Sequence, residues 1–105
     1  MAKPQIAVPR DEIASFCRRW KVSELALFGS VLRGDFSSGS DVDVLVSFAP
    51  DAGWSLFDLV KMQEELKAIL GREVDLVDRV AVERSENYIR RKSILSSTEV
   101  VYAAR

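Results

Sequence analysis

The chain has 105 residues, 48% of them hydrophobic and 30% charged, with a formal net charge of −1. This length suits one globular domain with a modest core and leaves no room for a second, so we expect a single domain over residues 1–105. Because the charge is nearly balanced and the basic residues are spread along the chain, direct binding to nucleic acid is not expected.

The counts of cysteine and histidine exclude several kinds of chemistry. Cys17 is the single cysteine and histidine is absent, so an internal disulfide, a histidine base and histidine metal ligands are all excluded. The sequence has neither a signal peptide nor a long apolar segment, and we therefore expect a cytoplasmic protein that does not bind membranes. Carboxylates remain as the side chains for catalysis or metal binding.

The first predicted elements are a helix over residues 11–21, with Cys17 in the core, and a buried strand over residues 25–28 that runs into a tight turn. Gly29 lets backbone N–H groups of the turn approach an anion, and Ser30 adds a hydroxyl donor. A short helix from Val31 would add the donors of its N-terminus. The turn is thus predicted to bind phosphate groups.

The next strand is predicted over residues 41–48 and carries two acids. Strand periodicity places Asp41 and Asp43 on one face, about 7 Å apart along the strand, and the apolar residues Val42, Val44, Val46 and Phe48 on the other. With no basic neighbour in sequence, such a pair repels itself and favours a divalent cation. Mg²⁺ suits the pair because it commonly takes one or two carboxylates, water and substrate phosphates.

A third acid is expected if the site holds two metal ions, one for the attacking oxygen and one for the leaving group. Residues 73–78 form a short alternating segment in which Asp75 lies between apolar residues. Asp75 is therefore the candidate third ligand. Glu73 and Asp78 lie near the ends of this segment, where solvated surface acids are expected.

The remaining elements are a helix over residues 55–70 that stops at Gly71, and a basic helix from Ser85 to about residue 96. Residues 100–102 fit either an edge strand or the end of a helix. Trp54 could stack on an adenine ring, but we favour its covering the core. The basic run 90–92 is interpreted as a solvated face, with phosphate or partner binding as the alternative. Together these elements predict a small α+β domain, with helices packed on a mixed sheet of three or four strands.

The residues of the predicted site resemble the nucleotidyltransferase superfamily typified by DNA polymerase beta. Its signature is Gly-Ser, about ten residues, then Asp-x-Asp, with a third carboxylate on a later strand, and the resemblance here covers about residues 25–77. The short domain and the Gly-Ser-x-x-Arg-Gly form of residues 29–34 resemble the minimal nucleotidyltransferases (MNT), the antitoxins of HEPN/MNT toxin-antitoxin pairs. Many members carry Ala where Leu32 stands, a difference expected to affect loop packing more than chemistry.

The resemblance implies Mg²⁺-dependent transfer of AMP from ATP to a tyrosine of a cognate HEPN toxin. Asp41, Asp43 and Asp75 would be the catalytic and metal-binding residues, with two Mg²⁺ ions. Gly29, Ser30 and Arg33 would bind the nucleotide, although Arg33 fits a plain loop ion pair equally well. These expectations are compatible with a homodimer or a hetero-oligomer.

Two other functions fit the same residues. The first is a non-catalytic antitoxin that neutralises its toxin by covering it. The sequence argues mildly against this function, because a protein that only covers its toxin does not need three carboxylates beside a glycine turn. The second is a small-molecule nucleotidyltransferase, as in the aminoglycoside nucleotidyltransferases, for which a lone domain of this length has little surface to enclose the substrate.

Overall fold

The computed structural model of the protein describes residues 6, 8–32 and 41–104. The described chain forms four helices and four strands, with a 3₁₀ turn after the first strand. They are, in order, α1 (Arg10–Arg19), β1 (Val22–Phe28), the turn Gly29–Leu32, β2 (Val42–Phe48), α2 (Leu56–Leu70), β3 (Val74–Asp78), α3 (Arg79–Glu83), α4 (Tyr88–Leu95) and β4 (Thr98–Ala103). The predicted α+β class is confirmed.

The strands form one mixed sheet in the order β3-β2-β1-β4. β1 is antiparallel to both of its neighbours, while β2 and β3 are parallel. A parallel pair needs a long crossover, and α2 supplies it. Residues 100–102, which the sequence left open, lie in the edge strand β4. The short helix α3 was not predicted.

The strand alternation of β2 divides its side chains between two cores. Val42, Val44 and Val46 belong to the larger core, with side chains of α1 and α2. Leu45 belongs to a smaller core on the opposite face, under α3 and α4. Asp43 shares its strand face with Leu45, so the predicted placement of the three valines opposite Asp43 is confirmed, whereas the face of Asp43 also carries an apolar core.

Helix α2 has the predicted extent because both of its ends are specified locally. Ser55 and Asp58 form a reciprocal capping box at its start, and Gly71 ends it in the left-handed conformation at φ +69°. At 15 residues it is the longest helix of the described chain. No described helix is long and apolar enough to cross a bilayer.

Trp54 covers the larger core, as expected, and does not stand apart as a free stacking surface. Its ring packs edge-on against Trp20 with 5.1 Å between the ring centroids. Its Nε1–H donates a hydrogen bond of 2.6 Å to the Trp20 carbonyl oxygen. The buried edge and the satisfied N–H both agree with a structural role.

Glu65 links α1 to α2 and carries a pH dependence. Its carboxylate accepts hydrogen bonds from Arg19 at 2.8 Å and from the Trp20 indole at 3.1 Å. These hydrogen bonds hold the pKa of Glu65 below its ordinary value, and the bond from Arg19 has the largest effect. Because the pKa of Glu65 is lower in the folded state than in the unfolded state, its ionised carboxylate contributes to stability at pH values above the unfolded-state pKa. This contribution is lost as the pH falls through the folded-state pKa.

We therefore predict that Glu65→Gln lowers the free energy of unfolding near neutral pH and weakens its decline on acidification. Urea unfolding at about pH 7 and about pH 3 measures both effects. Glu64→Gln, an exposed neighbour on the same helix, is the matched control and should follow the parent. Equal pH dependence in Glu65→Gln and the parent would contradict the assignment.

Cys17 is fully buried, and burial raises the pKa of its thiol to about 12. The thiol is then protonated at neutral pH and shielded from reagents. We predict that labelling by an aromatic disulfide reagent is negligible in the native protein and proceeds at the rate of unfolding in urea. Rapid labelling without denaturant would show that the helix α1 opens locally.

Candidate active site

The predicted phosphate turn follows the end of β1 and touches an acid of the neighbouring strand. Phe28, the last residue of β1, is paired with Asp43 of β2. Gly29 then adopts φ +76°, and a Cβ atom built there would collide with the Asp43 carboxylate oxygen Oδ2. Glycine is thus required twice, for the left-handed backbone and for the close approach.

The turn itself is a single 3₁₀ turn that begins at Gly29 and ends at Leu32. The positions after Leu32 that a helix from Val31 would occupy lie outside the described residues. Val31 is fully buried in the larger core, so the turn is anchored by an apolar side chain within it. Ser30 stands next to Gly29 and is partly exposed.

The parallel pairing of β2 and β3 brings two predicted carboxylates together. Asp43 and Asp75 are register partners, so their side chains leave the same face of the sheet from strands about 4.8 Å apart. Asp41 lies two residues before Asp43, immediately outside β2. Asp41 and Asp75 are exposed, and Asp43 is partly buried.

Asp43 and Asp75 have the donor chemistry of a magnesium site. Carboxylate oxygens are the hard ligands that Mg²⁺ prefers, and the ion commonly takes one or two of them and fills its octahedron with water and phosphate. Within the described ranges, no group of three or more Asp, Glu, His or Cys side chains is arranged to hold a metal ion. An Asp43–Asp75 pair beside the Gly29 turn therefore fits an ion whose coordination a nucleotide completes, and the three-carboxylate assignment stays a prediction.

The two acids that were expected to be solvated both have structural partners. Glu73 is exposed and forms an ion pair of 2.9 Å with Lys67. Asp78 caps α3 by accepting a hydrogen bond of 2.9 Å from the Val80 N–H. Arg33 and the loop at residues 35–40 lie outside the described residues.

A residue that sequence reasoning missed holds the strand of Asp75 in place. Gln63 on α2 accepts a hydrogen bond of 3.3 Å from the Leu76 N–H through its side-chain oxygen. Leu76 directly follows Asp75 on the edge strand β3, where N–H groups that point away from β2 have no neighbouring strand to bond. Only the packing of α2 against β3 reveals this contact, since nothing in the sequence around Gln63 signals it.

The chain is similar in sequence and in fold to known proteins. Residues 11–101 match the family model described as a nucleotidyltransferase domain. The chain is 44% identical over 59 residues to the protein adenylyltransferase MntA of Thermococcus cleftensis, an alignment covering 56% of this chain and 58% of that relative. The chain thus matches a little over half the length of this relative.

Solved structures share the fold. A toxin-antitoxin crystal structure with AMP-PNP matches with a TM-score of 0.69 at 22% identity, over 93% of this chain and 76% of the other. A tri-AMPylated Shewanella oneidensis HEPN toxin in complex with its MNT antitoxin matches with a TM-score of 0.61 at 22% identity, over 90% and 70%. A protein provisionally named a minimal nucleotidyltransferase matches with a TM-score of 0.65 at 30% identity, over 85% of both chains.

We predict that Gly29→Ala impairs both stability and nucleotide binding, because the added Cβ meets a strained backbone and the Asp43 carboxylate. Gly71→Ala is the matched control. Gly71 also has a positive φ, +69°, but a Cβ there meets nothing within 4 Å.

Urea unfolding should show a loss of about 1–2 kcal/mol for Gly71→Ala, the cost of a left-handed non-glycine residue, and a larger loss for Gly29→Ala. Titration with ATP and Mg²⁺ should show weakened binding for Gly29→Ala alone. Equal losses in both variants would mean that the approach to Asp43 has no energetic consequence.

Proposed function

Because this chain belongs to the nucleotidyltransferase domain family, we propose that it is a Mg²⁺-dependent adenylyltransferase. It transfers AMP from ATP to a protein, and the acceptor is the hydroxyl of a tyrosine in a cognate HEPN toxin. The modification silences the toxin, so the chain acts as an antitoxin.

The observation that carries this proposal is the junction of Gly29, Asp43 and Asp75. A turn that only glycine can form lies against one carboxylate, and the second carboxylate is its register partner on the next strand. Phosphoryl transfer needs little from a protein beyond positioned phosphates and compensated charge. A backbone turn beside paired acids is suited to both tasks.

The acceptor class is supported by what the similar proteins are named for. The Thermococcus relative is a protein adenylyltransferase. Among the proteins of similar fold are toxin-antitoxin complexes, one with the ATP analogue AMP-PNP and one whose HEPN toxin is tri-AMPylated. A protein acceptor also suits a domain this small, because the acceptor itself can close the site.

In the proposed mechanism, the backbone N–H groups at Gly29 and the hydroxyl of Ser30 bind the triphosphate oxygens. The acceptor oxygen attacks the α-phosphorus in line, the new O–P bond forms as the bond to the bridging oxygen breaks, and pyrophosphate leaves. Asp75 accepts the hydroxyl proton, because it is exposed at the sheet edge where an acceptor can approach. Arg33 offsets phosphate charge.

Asp41, Asp43 and Asp75 would hold two Mg²⁺ ions. When bound, the metal neutralises phosphate charge and stabilises the attacking and leaving oxygens. Asp43 is the central ligand in this scheme, since it contacts the turn on one side and neighbours Asp75 on the other. The conformation of Gly29 and the position of Asp43 are then coupled, and a change at either should disturb nucleotide binding.

We predict that the double variant Asp41→Asn/Asp43→Asn keeps the fold and loses transfer by roughly 100-fold or more, because charge compensation of this kind is often worth that much. The assay is the intact mass of the protein encoded by the adjacent gene, the proposed toxin, after incubation with the chain, ATP and Mg²⁺. A gain of one or more adenylyl groups is expected with the parent and is abolished by a chelator.

Asp51→Asn is the matched control. Asp51 is an exposed acid beyond the other end of β2, where it pairs with Lys21 at 3.3 Å, and its loss should leave transfer unchanged. Transfer retained in the double aspartate variant would overturn the mechanism. A tight complex of the two proteins with no mass gain would indicate an antitoxin that acts by binding.

A further inference from the structure

A cavity of about 130 Å³ lies between α3, α4 and β3, on the same sheet face as the carboxylates. Its inner wall is apolar and its mouth carries donors. The lining includes Val77, Val82 and Ile94 on the apolar side and Ser85, Arg90 and Arg91 on the polar side.

The two arginines of this cavity carry charge that no described acid offsets through an ion pair. Neither Arg90 nor Arg91 forms an ion pair with a carboxylate in the described part of the chain, unlike Arg79, which pairs with two glutamates. Arg91 is held by neutral groups instead. Its Nη1 donates to the Ser85 carbonyl oxygen at 3.1 Å, and its guanidinium lies 5.5 Å from the centre of the Tyr88 ring.

The surrounding segment is also basic. Residues 84–92 hold four cations and one acid, Glu86, and no ion pair joins Glu86 to those cations among the described residues. In a chain of net charge −1, this is a local concentration of positive charge. Arginines that serve only as a solvated helix face do not require a cavity beside them. Arg90 and Arg91, by contrast, both line one.

Ser85 adds a hydroxyl donor at the mouth. Its Oγ accepts a hydrogen bond of 3.2 Å from the Asn87 N–H, so its own proton remains to be donated. Two guanidinium groups and a hydroxyl match an anion with several terminal oxygens, because guanidinium binds phosphate through paired N–H donors. The small volume admits a phosphoryl group and little else.

We propose that this cavity is a second phosphoryl-binding site, separate from the triphosphate turn at Gly29. Val77 in its wall follows Asp75 by two residues on the same strand face, which puts the cavity about 7 Å along β3 from that carboxylate. The site therefore adjoins the carboxylates without sharing a described residue with them. Its ligand is a phosphoryl oxyanion, either inorganic phosphate or the phosphate of a nucleoside monophosphate.

The test is a titration of the ¹⁵N-labelled parent chain with inorganic phosphate, at constant ionic strength and without divalent metal. Saturable shifts are expected for the amides of Ser85, Arg90 and Arg91. A parallel titration with AMP distinguishes the two sources. Shifts of the same amides at lower AMP concentration identify the monophosphate, and saturation by phosphate alone identifies the free anion.

The decisive variants remove the same amount of charge inside and outside the cavity. Arg90→Gln/Arg91→Gln should weaken phosphate binding at least about tenfold, as expected for loss of charge-assisted hydrogen bonds. Arg84→Gln/Lys92→Gln, which removes two exposed cations of the same segment that do not line the cavity, should bind as the parent does.

Equal weakening in both double variants would overturn the site, because general attraction would then explain the binding. Shifts that never saturate, or that are confined to Gly29 and Ser30, would overturn it as well. The measurement needs neither transfer nor metal, so it stays independent of the adenylyltransferase proposal.

Discussion

The approach of the Gly29 backbone to the Asp43 carboxylate is the contact on which the candidate site depends. It exists because β1 and β2 pair with Phe28 opposite Asp43, so the residue that leaves β1 must turn directly over the acid. Any side chain at position 29 would collide there. A register slip of one residue would also move Asp43 to the face of the larger core, because strand side chains alternate. Turn and strand register are therefore specified together.

The second carboxylate, that of Asp75, is positioned by a different part of the fold. Asp75 neighbours Asp43 only because β3 runs parallel to β2, which requires a crossover long enough for α2. The capping box at Ser55 and the left-handed Gly71 set the length of that helix. Gln63 on the same helix accepts a hydrogen bond from the edge strand β3. The caps, the crossover and the edge contact thus act together to align two acids that are distant in sequence.

Acidic and basic side chains occupy different parts of one sheet face, although the formal net charge of the chain is only −1. The acids lie at the starts of β2 and β3. Two arginines without an ion pair among the described residues lie on α4, beside a cavity that is also lined by Val77 of the strand of Asp75. No described polar or charged residue is buried, so little folding free energy is spent on desolvating charge. Both charged regions instead stay open to solvent, where ligands can reach them.

The sequence by itself determined the elements with strong local signals. The alternation around Asp43 and the capped span of α2 depend on neighbours a few residues apart, and glycine followed by serine after an apolar run marked the turn at Gly29. Helix α3 was not predicted because five residues are too few to show a helical period. The state of β4 stayed open because Val100 and Val101 fit either a strand or a helix until β4 pairs with β1. The alignment of Asp43 with Asp75, the contact of Gln63 and the cavity at Arg91 were decided only by tertiary structure, since strand register and helix packing arise from contacts between residues far apart in the chain.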